Sequence, residues 1–208
     1  PARELGGDLY DFYDLEEGVL GLALGDVSGK GVPAALYGAF ASGTVRARAF
    51  ERLAPSALLF RVNRTLRRRG VEGMYCTLSY AVFDFRSDTL RLANSGLPYP
   101  MHFSTADGRC RPIEAAGVPL GALDGSTYEE RELPLHAGDV FVFFSDGVTE
   151  AWRPGEEYGV ERLRQVVERS AAQPVAAIGQ AILDDVHAFL GEDEPSDDLT
   201  VVVVKVKP

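Results

Sequence analysis

Residues 19–31 read Val19-Leu20-Gly21-Leu22-Ala23-Leu24-Gly25-Asp26-Val27-Ser28-Gly29-Lys30-Gly31. Up to Val27 the run is nearly continuous in apolar side chains, the pattern of a strand buried on both faces. Asp26 sits at its end. An unpaired carboxylate buried there costs several kcal/mol or is driven to its neutral form, so the acid needs an explanation. Working outward, Leu9 to Leu15 alternates apolar and acidic residues, and Glu17-Gly18 supplies a turn, so the two runs predict a hairpin. On the other side, Pro33 suits a first helical turn, and Ala35, Leu36, Ala39 and Phe40 recur at helical spacing through Phe50. Pro55-Ser56 starts a second helix carrying Leu58, Leu59, Val62 and Leu66. Its Arg67-Arg68-Arg69 suits the negative end of the helix dipole, and Gly70 stops it.

Five more strand signals follow: Met74 to Phe85, Thr89 to Ala93, Tyr99 to Phe103, Tyr128 to Leu133 and Val140 to Ser145. Gly, Pro, Asp and Ser turns separate them, which predicts a meander. Tyr158 to Ser170 and Pro174 to Leu190 predict helices. Leu199 to Val206 is a β-branched run of the kind found in the middle of a sheet. Sequential strands with helices in pairs predict an α+β fold built on antiparallel sheets rather than βαβ alternation.

Composition narrows the function classes. With 208 residues, 46% of them apolar, the chain can bury a core of its own, and neither repeats nor a linker divide it, so residues 1–208 read as one domain. Lysine and arginine total 21 against 31 acids, a formal charge of -10, so a broad nucleic-acid face is not expected. No apolar run approaches the roughly 20 residues of a membrane span, and a cytoplasmic location is expected. Cys76, Cys110 and three histidines make neither a disulfide framework nor a zinc signature. The opening at Pro1-Ala2-Arg3-Glu4, with no initiator methionine or leader, reads as a domain cut from a longer protein.

The acids are the chemical signal. Asp8 stands in Gly6-Gly7-Asp8 at the mouth of the first strand. Asp26 ends the second, Asp146 follows another apolar strand in Phe143-Phe144-Ser145-Asp146-Gly147, and Asp197-Asp198 introduces the last. Each alone reads as a turn former, as Asp139 in Ala137-Gly138-Asp139 does. Gathered together they would repel, and a hard divalent cation with oxygen ligands would remove that conflict. Two such ions about 3.5–4 Å apart make a binuclear site. Composition alone does not bring the acids together.

Five segments carry a resemblance. They are Gly6-Gly7-Asp8-Leu9-Tyr10-Asp11; Gly25-Asp26-Val27-Ser28-Gly29-Lys30-Gly31 with Ala34-Ala35; Gly117-Val118-Pro119-Leu120-Gly121; Ser145-Asp146-Gly147-Val148-Thr149-Glu150-Ala151; and Asp197-Asp198-Leu199-Thr200. In order and spacing the chain resembles the metal-dependent serine/threonine phosphatases of the protein phosphatase 2C (PPM) superfamily, in the bacterial stage II sporulation protein E branch. The resemblance implies a β-sandwich of two antiparallel sheets flanked by helix pairs, with two Mg²⁺ or Mn²⁺ ions and a weaker third at one end. On matching positions Asp26 would bridge both ions, and the main-chain carbonyl of Val27 would complete one. Asp146 and one of Asp197 and Asp198 would hold the second; Asp197 is favoured, although the sequence does not separate the two. Asp8 would hold metal-bound water or ligate the weaker ion.

The implied reaction is in-line attack of water on phosphorus, with the metals neutralising phosphoryl charge. The residues agree: neither cysteine is followed six positions on by the arginine that cysteine phosphatases require, and no Asp-x-Asp-x-Thr/Val run offers a phosphorylated aspartate. The chain departs from the branch at Asn94-Ser95-Gly96-Leu97, where Leu97 takes the usual histidine position. Asn94 is a polar candidate near the site or a turn residue, and Lys30, with Arg3, is a candidate cation for the phosphate. The Gly29-Lys30 pair is no nucleotide-binding loop, since Leu24 and Gly31 break that pattern at both ends.

The resemblance also implies a phosphorylated protein substrate, an anti-anti-sigma (STAS-type) factor in a partner-switching pathway, and an upstream sensor or receiver domain. A homodimer is compatible with it. Two other readings stay open, an inactive scaffold of the same fold and a phosphatase of small metabolites.

Overall fold

The computed structural model describes residues 6–71 and 73–207. In chain order the elements are β1 (Leu9–Glu16), β2 (Val19–Val27), α1 (Val32–Ala49), α2 (Pro55–Arg69), β3 (Cys76–Asp84), β4 (Thr89–Asn94), β5 (Met101–Ser104), β6 (Arg109–Pro112), β7 (Glu130–Pro134), β8 (Val140–Phe144), α3 (Asp146–Thr149), β9 (Trp152–Arg153), β10 (Glu156–Glu157), α4 (Gly159–Ser170), α5 (Val175–Leu190) and β11 (Val201–Lys205). The strands pair antiparallel in every ladder, so the expected α+β class holds. Among the described residues no helix is long and apolar enough to cross a membrane. The chain forms two compact units, each with its own sheet, helix pair and apolar core.

The first unit takes in residues 6–97 and 114–135. Its five-stranded sheet runs β1-β2-β3-β4-β7. On α1 the buried residues Ala34, Tyr37, Ala41 and Val45 recur every three or four positions, as do Leu59, Val62 and Leu66 on α2, with Leu58 beside them. These stripes share a core with Tyr13, Val27, Leu78 and Tyr80 of the sheet. Each fully buried Leu or Val contributes about 1.5–3 kcal/mol, so the helix pair is held by its apolar face. The alternate residues Leu22, Leu24, Phe83 and Leu92 are also wholly buried, so the sheet is apolar on both faces. Gly70 ends α2 at an ordinary φ of -78°. It is required because a Cβ there would lie 2.3 Å from the Leu66 carbonyl oxygen.

The second unit takes in residues 98–113 and 136–207, with a four-stranded sheet in the order β11-β8-β5-β6 and a small β9–β10 hairpin. Leu163, Val166 and Val167 of α4 and Ile178, Ile182 and Val186 of α5 pack on Val140, Val142 and Phe144 of β8.

Two expectations are corrected here. Among the described residues the final run pairs only with β8, so β11 stands at the end of the strand order and not in its middle; such apolar strands read like central ones when a helix covers them, and α5 packs on β11. The single meander is divided, because β5 pairs with β6 and β8 while β4 passes on to β7. The short β6, α3 and β9–β10 elements carry too few residues to show a period and were not expected.

Candidate functional site

In the first unit the acids collect at one end of the sheet. Leu9 pairs with Gly25, so Asp8, one residue earlier, stands at the same end as Asp26. Asp26 pairs with Thr77 and Val27 with Cys76, and the Thr77 hydroxyl donates to the Asp26 carbonyl at 3.3 Å. Asp8 and Asp26 are half-buried and Val27 is buried. Gly7 shows how closely this end is built: a Cβ on it would lie 2.6 Å from Asp26 Oδ1 and 3.0 Å from the Val27 carbonyl oxygen. One carboxylate oxygen and one main-chain carbonyl thus face the same small space, which only glycine leaves open.

Past Val27 the chain enters an exposed loop. The Ser28 amide donates to the Tyr75 carbonyl and the Tyr75 amide to Ser28 Oγ, both at 3.0 Å, which ties the loop to the approach to β3. Gly29 and Gly31 take φ of 93° and 76°. Between them Lys30 is exposed. Arg3 lies outside the described residues.

Gly117-Val118-Pro119-Leu120-Gly121 supports this end. Leu120 and Cys76 exchange backbone hydrogen bonds at 2.7 and 2.9 Å, continuing the ladder from Val27. Burial, then the nearby Asp26 charge, raises the Cys76 thiol far above its ordinary range, leaving it a protonated core residue. Asn94 is fully buried, donating to the Leu97 carbonyl at 2.7 Å and accepting from the Leu97 amide and Ser79 Oγ at 3.2 Å. Its carboxamide closes the turn that holds the buried Leu97.

In the second unit Asp146 follows β8 and opens α3. Ser145, wholly buried, joins two segments: its hydroxyl donates to the Asp198 carbonyl at 3.2 Å and accepts from the Thr200 amide at 3.1 Å. A Cβ on Gly147 would lie 2.1 Å from the Asp198 carbonyl oxygen. The Asp197-Asp198 loop is therefore pressed against the start of α3. Asp197 is exposed and its Oδ1 accepts the Asp198 amide at 2.9 Å, while Asp198 is buried. Glu150, which the sequence reading quoted but gave no role, belongs to this group. Burial, then Asp146, Glu157 and Asp197, raise its carboxyl above the ordinary range.

Asp139, read as a turn former, is placed elsewhere in this unit. It is wholly buried and accepts from the Thr105 amide and hydroxyl at 2.8 and 2.9 Å, and it pairs with His102 Nε2 at 3.0 Å.

Among the described residues no three His, Cys, Asp or Glu side chains are already gathered at metal-holding distance. Each unit has its own set of oxygen donors. Carboxylates and a main-chain carbonyl are what Mg²⁺ and Mn²⁺ take, and the concentration of negative charge around Asp146, Glu150 and Asp197 suits a cation, so the residues fit a divalent ion.

Comparison with known proteins matches residues 16–207 to the family described as Stage II sporulation protein E (SpoIIE). The chain is 28% identical over 207 residues to the phosphoserine phosphatase RsbU of Bacillus subtilis, covering all of this chain and 61% of RsbU. It thus spans about three fifths of that relative. Among solved structures, the SiaA-PP2C domain of Pseudomonas aeruginosa superposes with a TM-score of 0.88 at 22% identity, over 100% of this chain and 83% of that one. RsbX in complex with magnesium superposes at 0.71 and 16% identity, over 97% and 87%. These likenesses show a shared fold.

Proposed function

Because the chain belongs to the SpoIIE family, we propose that it is a divalent-metal-dependent protein phosphatase acting on phosphoserine or phosphothreonine of a regulatory protein. The observation that carries the proposal is the convergence of Asp26 Oδ1 and the Val27 carbonyl on the space that Gly7 leaves open, with Gly147 letting the Asp197-Asp198 loop pack against the start of α3. RsbU is named a phosphoserine phosphatase and RsbX binds magnesium, which supports the reading.

In this reading Asp26, with the Val27 carbonyl, would hold a divalent ion at the end of the first unit's sheet, Asp146 and Asp197 would hold one in the second unit, and Asp8 would order water or ligate a weaker ion beside Asp26. Bound Mg²⁺ or Mn²⁺ supplies charge neutralisation on phosphoryl oxygens and a nucleophilic water near neutral pH. The residues of the chain position these groups. The β2 ladder fixes Asp26, Ser145 fixes the Asp197-Asp198 loop against Asp146, and exposed Lys30 offers an ammonium to the incoming phosphate. Residues 1–208 act as one catalytic domain of a cytoplasmic, multidomain regulator, and its substrate is a STAS-type anti-anti-sigma protein.

The test is hydrolysis of p-nitrophenyl phosphate with Mn²⁺, with Mg²⁺ and with EDTA, alongside Asp26→Ala and Asp146→Asn. Metal-dependent turnover lost in both variants is expected. Turnover that survives chelation and both substitutions overturns the proposal, and bound metal without turnover on any phosphoprotein points to a scaffold.

A further inference from the structure

Beside the loop that carries Lys30, the first unit has a cavity of about 420 Å³ lined by Val32, Leu36, Phe40, Val71, Met74 and Arg69. Its rim is unusually apolar for a surface: Leu36, Val71 and Val32 are 67%, 62% and 59% exposed. Tyr37 closes the floor, its hydroxyl donating to the Met74 carbonyl at 3.3 Å. Met74 precedes Tyr75, the residue hydrogen-bonded to Ser28, and Val32 follows Gly31, so the cavity adjoins the loop leaving Asp26.

The charge beside it is reversed from that of the chain. Although acids exceed bases by 31 to 21 overall, α2 carries arginine at 61, 64, 67, 68 and 69 and no acid. Arg67 is paired with Asp124, while Arg68 and Arg69 have no ion-pair partner among the described residues. Helix-dipole complementation accounts for basic residues in a last turn but not for an apolar cavity opening next to them.

We propose that this cavity docks an acidic amphipathic segment of the phosphoprotein substrate, its apolar side chains entering between Leu36 and Val71 and its carboxylates facing Arg69. Docking here binds the substrate outside the phosphate site, next to the loop that receives the phosphate. This rests on the phosphatase reading for its purpose but not for its binding. A second copy of the chain fits less well, because a two-fold contact would set one arginine cluster against the other.

The experiment is fluorescence anisotropy with a labelled Glu/Leu amphipathic peptide and a Lys/Leu peptide of the same apolar face, on the full 208-residue chain. The acidic peptide should bind at least tenfold tighter than the basic one. Leu36→Glu and Arg69→Glu should each weaken it about tenfold, and raised salt should weaken it too. Folding of the variants is checked by p-nitrophenyl phosphate turnover within about twofold of wild type and by thermal unfolding. A phosphoserine version of the acidic peptide should show the loss in KM, with kcat retained. Equal binding of both peptides overturns the proposal, as does binding indifferent to the two substitutions. A wild-type dimer in ultracentrifugation broken by Leu36→Glu, or co-sedimentation with phosphatidylserine vesicles lost in Arg69→Glu, overturns it in favour of another occupant. Peptide binding without any metal-dependent turnover keeps the docking site and removes the phosphatase.

Discussion

Asp26 lies inside a strand that is hydrogen-bonded on both sides, to β1 and to β3, whereas Asp146 lies just beyond its strand and is positioned by a serine and a loop. The first unit fixes its acid with ladder bonds, and the near atom over Gly7 is the tip of a side chain, Asp26 Oδ1. The second fixes its acid with loop contacts, and the near atom over Gly147 is backbone, the Asp198 carbonyl oxygen. A ladder tolerates local crowding because the rest of the strand holds register. A loop pressed on a helix start has nowhere to go, so the second unit's acid should be the more easily displaced.

The largest effect tests whether the acids of both units serve one reaction. Asp26→Ala and Asp146→Asn, one in each unit, should each reduce turnover to background, and EDTA should do the same to the wild type with recovery on added Mn²⁺. Residual turnover in only one of the variants would assign the chemistry to a single unit.

The matched glycine pair comes next. Gly147→Ala brings a methyl against the Asp198 backbone at 2.1 Å, so the loop must move. It should cost about 1–3 kcal/mol in urea unfolding and, by displacing Asp197 from Asp146, lower kcat about 100-fold. Gly7→Ala meets a carboxylate oxygen at 2.6 Å that can rotate away. Stability should fall by less than about 1 kcal/mol, while apparent metal affinity falls about tenfold. Equal stability losses would refute the contrast between ladder and loop.

That contrast also marks where the sequence could be read. β2 and α2 were legible to the residue because a continuous apolar run and a helical stripe each leave a period, and their ends carry Gly, Pro and arginine signals. Asp26 was legible as an acid where the strand needs none. The loop-built half was visible only as quoted motifs. Ser145 forms its two bonds to residues more than fifty positions away, and Glu150 acquires Asp197 as a charged neighbour only when that loop folds back. No local period encodes such contacts. Gly117 likewise read as a motif residue, and only the fold shows a Cβ there striking the Asn94 carbonyl oxygen at 2.0 Å. That β11 has a single partner strand among the described residues was hidden because hydrophobicity reports burial and not the number of neighbouring strands.

The smallest effect on turnover should come from Asp139→Asn, which separates acids that serve the fold from acids that serve the site. Burial opposes ionisation of Asp139, but hydrogen bonds from Thr105 and His102 outweigh it and hold the carboxyl below its ordinary range. A carboxylate whose pKa is lower folded than unfolded adds stability above about pH 4, and that stability is lost as the pH falls through the folded value. The aspartate therefore helps at neutral pH and stops helping in acid. Asn keeps the size but accepts from fewer donors and does not titrate, so the variant should lose about 1–3 kcal/mol at pH 7. The gap from wild type should narrow as the pH drops below about 4. Urea midpoints at pH 7, 5, 4 and 3, read beside p-nitrophenyl phosphate turnover at pH 7, decide it: a gap constant across pH would assign the loss to packing, and a fall in kcat of the folded variant would place Asp139 in the chemistry after all.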